Sequence, residues 1–161
     1  MIPLAWLSLV GLLAGEAGAA AGRRAGAERQ WAWLAASAGW LALAVHMVLA
    51  MAVHHGWSHT AAVTETARLT GQVYGVAWGG GVYVNYAFLL LWLAVLVRRR
   101  ASGSSDLPAW LLWTWRIAVL VVVSNAAIVF AAPARRLAGA IVTAALIATW
   151  WGSRRPAGAG G

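Results

Sequence analysis

The chain has no cysteine among its 161 residues. That excludes disulfides, thiolate-bound metals, c-type haem attachment and cysteine-ligated iron–sulfur clusters, so any metal would have to take His, carboxylate or backbone ligands. Charge is the second scarcity: 10% of the residues are charged, where a soluble domain carries roughly a quarter. With 62% hydrophobic residues and a mean hydropathy of +0.73, lipid must cover most of the molecule. Lysine is missing too. All 12 basic residues are arginine, against 4 acidic ones, giving a net charge of +8 and a pI near 11.7. Such a balance raises the question of nucleic acid, but the arginines stand in short clusters at the ends of apolar runs, where membrane topology and anionic headgroups account for them. No nucleic-acid partner is expected. Also absent are an HExxH metal motif, a Lys-Ser/Thr nucleotide loop, a Ser/His/Asp order, paired carboxylates in the apolar runs and a solenoid repeat.

Long apolar runs dominate what is present. A helix needs roughly 20 mainly apolar residues to cross the hydrocarbon, and five stretches approach that length: 2–21, 31–53, 80–97, 109–131 and a shorter 137–151. The spacers GRRAGAERQ, RRRASGSSDLP and APARR are too short for a second domain. The expected fold is an all-α integral membrane protein, one multi-pass domain over 1–161 with about five transmembrane helices in one bundle. Its first run, LAWLSLVGLLAG followed by EAGAAAG, resembles a signal peptide's apolar region and cleavage site. It lacks the basic start of such peptides, and cleavage would invert the charge pattern below, so it is read as a helix.

Arginine gives the orientation, because basic residues in short loops stay on the cytoplasmic side. With the N-terminus outside, Arg23, Arg24, Arg29, Arg98, Arg99, Arg100, Arg154 and Arg155 are cytoplasmic; Arg68, Arg135 and Arg136 lie outside and Arg116 falls within a span. The setting expected is a cell membrane such as the bacterial inner membrane, with a cytoplasmic C-terminus and the 54–79 loop facing outward. Tryptophans support the boundaries, since Trp and Tyr favour the interfaces: Trp31, Trp33, Trp110, Trp113, Trp150 and Trp151 fall near one side, Trp6, Trp57, Trp78 and Tyr83 near the other, and Trp40 and Trp92 are internal.

The outer loop concentrates the side chains that could do chemistry. After Ser58, a capping type, HTAAVTETARLTGQ predicts a short amphipathic surface helix with Ala62, Thr66, Leu69 and Val73 on one side and an i, i+3 Glu65–Arg68 pair on the other. His55 and His59 have the four-residue spacing of helical zinc sites, with His54 a third ligand if the chain turns at Gly56; Gly56 and Ser58 interrupt that helix, and the simpler reading is polar residues at a helix mouth. The glycines Gly79, Gly80 and Gly81 suit an anion-binding nest, or a sharp, closely packed turn.

Within the spans, His46 lies in the outer half of the second, where an ionisable residue is costly and usually faces a partner or a wet cavity. Asn85, Ser124, Asn125 and Thr143 fall at similar depth. These residues predict an outward-facing pocket lined by His46, Asn85, Tyr86 and Asn125, with His55 and His59 above it, taking a metal ion, haem or a small polar ligand. Haem would need a second axial histidine from the loop or from another protomer. Glu16 and Arg116 both fall in the cytoplasmic half, predicting a structural ion pair. Small residues at Gly11, Gly15, Gly18 and Gly22 allow close helix approach, within the monomer, in a homo-oligomer or in a larger membrane complex. Two other functions are carried alongside the binding pocket: an accessory subunit whose outer loop docks a partner, and a small transporter, which the absence of an inverted repeat or broken helix disfavours. No reaction is assigned.

Overall fold

A computed structural model describes residues 2–21, 27–103 and 106–152. Among the described residues the chain is all helical, without strands: α1 (Ile2–Ala21), α2 (Ala27–His54), α3 (His59–Tyr74), α4 (Gly81–Ser102), α5 (Ala109–Ser124), continued by a π-helical turn (Asn125–Val129), and α6 (Pro133–Gly152). Four of these helical stretches are long and apolar enough to cross a membrane: 3–21, 27–54, 81–102 and 109–129. They indicate a membrane protein. Two helices extend past the apolar runs that announced them: α2 begins four residues before Trp31, and α4 runs five residues beyond Val97 through its arginines. The fifth apolar run is also helical but enters α6 through Arg135 and Arg136, which shorten its apolar length.

The tightest contact is between α1 and α2. A Cβ on Gly11 would lie 2.6 Å from the Ala35 carbonyl oxygen and 2.6 Å from Gly39 Cα, so only glycine fits this crossing. Gly15 and Gly18 face Ala36 and Ala32 in the same seam. Where two apolar helices gain nothing by leaving lipid for each other, such backbone proximity supplies the dispersion contact that holds them. Gly22, Arg23, Arg24, Arg154 and Arg155 lie outside the described residues.

Around this pair, α4 packs on α2, α5 on α4, and α6 on α1, α5 and the π turn. The core is aromatic: Phe88 stacks on Trp115 with ring planes 4° apart and centroids 5.6 Å apart, and Trp92 tilts against both. Val95, Val119, Val123 and Leu146 fill the space around them. Two indoles tie α2 to α4 by donating to backbone carbonyls, Trp33 to Leu96 at 3.1 Å and Trp40 to Leu89 at 2.9 Å.

At one end of the molecule α3 is held by local chemistry. Ser58 caps it by accepting the Ala61 N–H at 3.2 Å, and Gly75 closes it in the left-handed region with φ 74°. Ala62 and Thr70 are its buried residues; the Thr70 hydroxyl accepts the Trp78 N–H at 2.8 Å and donates to the Trp78 carbonyl at 2.9 Å, pinning the link to α4. The Glu65–Arg68 pair forms as the spacing predicts, through two bonds of 2.8 and 2.7 Å on an exposed face. That hydrogen bond holds the Glu65 carboxyl below its ordinary range and the Arg68 guanidinium above its own. Gly79 packs against Val63, whose carbonyl oxygen a Cβ there would approach to 2.8 Å, so the glycine run includes a close-packed corner.

Candidate functional site

Two polar centres sit inside the apolar helices. The first is built on Glu16, which is 4% exposed. One of its oxygens, Oε1, accepts from Arg99 Nη1 at 2.9 Å and from Trp115 Nε1 at 2.9 Å; the other, Oε2, accepts from Trp150 Nε1 at 2.7 Å. A buried carboxylate is tolerated when charge and hydrogen bonds replace its hydration, and here α4, α5 and α6 each supply a donor. Arg99 thus takes the place that the sequence reading gave to Arg116. The reason is geometric: Trp115 faces the carboxylate, so its neighbour Arg116 is turned about 100° round the helix. The Arg116 guanidinium lies over the rings of Trp113 and Trp150, 5.9 and 5.4 Å from their centroids.

The second centre is nearer α3. His46 of α2 and Asn85 of α4 line a cavity of about 740 Å³ whose walls are otherwise mostly apolar, among them Leu12, Leu43, Met47, Phe88, Trp92, Val123 and Phe130. Ser8 adds a hydroxyl, and Arg135 and Arg136 of α6 add positive charge. His46 Nδ1 is buried and has no hydrogen-bond partner among the described residues. In a protein interior such an atom costs on the order of 1–3 kcal/mol of desolvation unless a ligand or water satisfies it.

The other sequence candidates are distributed differently. Asn125 begins the π turn and faces the end of α3: its Oδ1 accepts the Tyr74 hydroxyl in a short bond, while its Nδ2 donates to the Val121 carbonyl at 2.8 Å. Neighbouring Val123, Ala126 and Ala127 line the cavity, and at helical spacing Asn125 lies on the other face. Tyr86 joins the loop cluster: His59 stacks on it at 5.9 Å, and its hydroxyl lies 3.9 Å from Met51 Sδ. His59 Nε2 is hydrogen bonded to the Tyr83 hydroxyl at 3.1 Å. Thr143 donates to its own helix, to Gly139.

His55 and His59 are not on one helix. The α2 helix ends at His54, and positive φ at Gly56 (52°) and Trp57 (63°) turns the chain before Ser58 starts α3. The His54 and His55 rings meet edge to face at 6.4 Å. No group of three His, Cys, Asp or Glu side chains placed to hold a metal ion occurs among the described residues.

Sequence reasoning missed Arg99, Trp115 and Trp150 as partners of Glu16. The signal available was the lone carboxylate itself, which in lipid demands donors; indole N–H groups within apolar runs are the donors such runs can offer. In comparisons with known proteins, no family model, no curated protein and no solved structure matches the chain.

Proposed function

We propose that this chain is a multi-pass membrane protein that binds a small amphipathic ligand in the His46–Asn85 cavity. The apolar body would lie among Leu12, Leu43, Phe88 and Trp92, and a hydrogen-bonding group would meet the imidazole and the amide. The observation that carries the reading is the buried, unpartnered Nδ1 of His46, a residue that lines a cavity of about 740 Å³. Arg135 and Arg136 favour a ligand whose polar part is neutral or negative. A metal ion or haem would find one imidazole in this cavity, and a second axial ligand would have to come from elsewhere. In this reading α6 completes a five-span bundle, with α3 and the histidine loop on the outer face and the arginine-rich ends of α2 and α4 in the cytoplasm.

The test is to purify the protein in mild detergent and measure co-purifying small molecules by mass spectrometry, metals by elemental analysis and haem by absorbance. Wild type should carry a molecule that His46→Leu and Asn85→Leu both lose while remaining folded. Identical content in all three proteins would refute the site. Reporter fusions after Arg100 and near Thr64 check the orientation: cytoplasmic and external, respectively, are expected.

A second reading has its own observation. Trp57, Val76 and Trp78, flanking α3, are each more than half exposed. Indoles at this level suit the bilayer interface, but they would equally serve an accessory subunit whose outer loop docks a membrane partner. Co-purification of a stoichiometric second chain, lost on Trp57→Ser, would favour it.

A further inference from the structure

At the end of the molecule away from α3, a second cavity of about 490 Å³ lies between α1, α2 and the last turns of α4. Arg29, Arg99 and Arg100 all line it, and no carboxylate does among the described residues. Glu16, next in sequence to the lining residue Gly15, is already held by Arg99 Nη1 and two indoles. Arg99 is 12% exposed in its side chain, and its Nε is buried without a hydrogen-bond partner among the described residues. The Arg100 guanidinium lies 5.8 Å above the Trp33 ring, which orients it, and Arg29 Nη1 donates to the Gly103 carbonyl. Three guanidinium groups therefore line one space, and of these Arg99 is paired with Glu16.

We propose that this cavity binds a phosphate group, and that the group belongs to an anionic phospholipid. Guanidinium forks match phosphate oxygens, and their donors stay charged at any physiological pH. The lipid source follows from the rest of the wall: below the arginines are Gly15, Ala19, Ala32, Ala36 and Leu96, an apolar, small-residue floor that suits an acyl chain rather than water. Basic pockets between membrane helices at the headgroup level are suited to this chemistry. This site is separate from the His46 cavity and stands whether or not that cavity is occupied.

The experiment is native mass spectrometry of the full-length protein in detergent, titrated with phosphatidylglycerol, phosphatidylcholine or inorganic phosphate. Phosphatidylglycerol should bind at least about fivefold more tightly than phosphatidylcholine, and Arg29→Gln or Arg100→Gln should each weaken it by about fivefold. Arg98→Gln, exposed on the same helix and outside the cavity, should leave it unchanged. Circular dichroism of each variant verifies that the fold is kept. Competition by millimolar inorganic phosphate that depends on Arg29 and Arg100 would keep the phosphate site and reassign its source to a soluble anion. Equal binding of both lipids with no phosphate effect, or an equal loss in Arg98→Gln, would overturn the proposal.

Discussion

Glu16 and His46 are both polar residues inside apolar helices, yet the structure treats them in opposite ways. Around Glu16 three helices deliver an arginine and two indoles, and each carboxylate oxygen is engaged. Around His46 the neighbours are mostly apolar, the cavity is wide, and Nδ1 is left without a partner among the described residues. A polar group that only holds helices together is expected to be fully satisfied, because an unmet donor or acceptor in a low-dielectric interior is costly. The contrast sets a satisfied staple beside the unsatisfied imidazole on which the proposed binding site rests.

The strongest way to break the comparison is at Glu16. Glu16→Ala strands the Arg99 charge and two indole N–H groups, and should cost about 3–5 kcal/mol in unfolding experiments in detergent. A double-mutant cycle sharpens it: Glu16 should couple more strongly to Arg99 than to Arg116, read from thermal unfolding of the single and double glutamine variants. Equal coupling to both arginines would mean that the carboxylate is shared.

Next in size is the junction between α3 and the π turn. Tyr74→Phe removes the donor to Asn125 and should cost about 1 kcal/mol in the same assay. At His46 the expectation is reversed, since His46→Leu replaces an unsatisfied ring nitrogen by apolar atoms. Stability should stay within about 0.5 kcal/mol of wild type, or rise, while the co-purifying ligand is lost. A loss as large as that of Glu16→Ala would make His46 a structural group.

The smallest effect belongs to the exposed pair on α3. Because Arg68 depresses the Glu65 pKa, the pair contributes above the ordinary carboxylate range and that contribution disappears as pH falls through the lowered value. Wild type and Glu65→Gln should therefore differ slightly in melting temperature near neutral pH and coincide in acid. Surface pairs of this kind are screened by solvent and salt.

Apolar run length made the positions of α1, α2, α4 and α5 legible, and the serine cap with its i, i+3 charges did the same for α3. Partnership was harder to read. Arg99 stands in the triplet Arg98–Arg100, which reads as a loop marker; only because α4 continues to Ser102 does its side chain remain on a helix beside Glu16. The same depth count grouped His46, Asn85 and Asn125 by level alone, and Asn125 faces Tyr74 at the end of α3 while His46 and Asn85 line the cavity. Depth along a helix follows from counting residues, whereas rotation about it depends on neighbours and on local helix type.

The Gly11–Gly39 crossing bears on how the molecule meets bilayers of different thickness. At about 1.5 Å per residue, the 28 residues of α2 extend well beyond the roughly 30 Å hydrocarbon layer, whereas the 20 residues of α1 nearly match it. A helix that is too long tilts or projects. With backbone against backbone at the crossing, a tilt of α2 in a thinner bilayer is expected to be shared by α1.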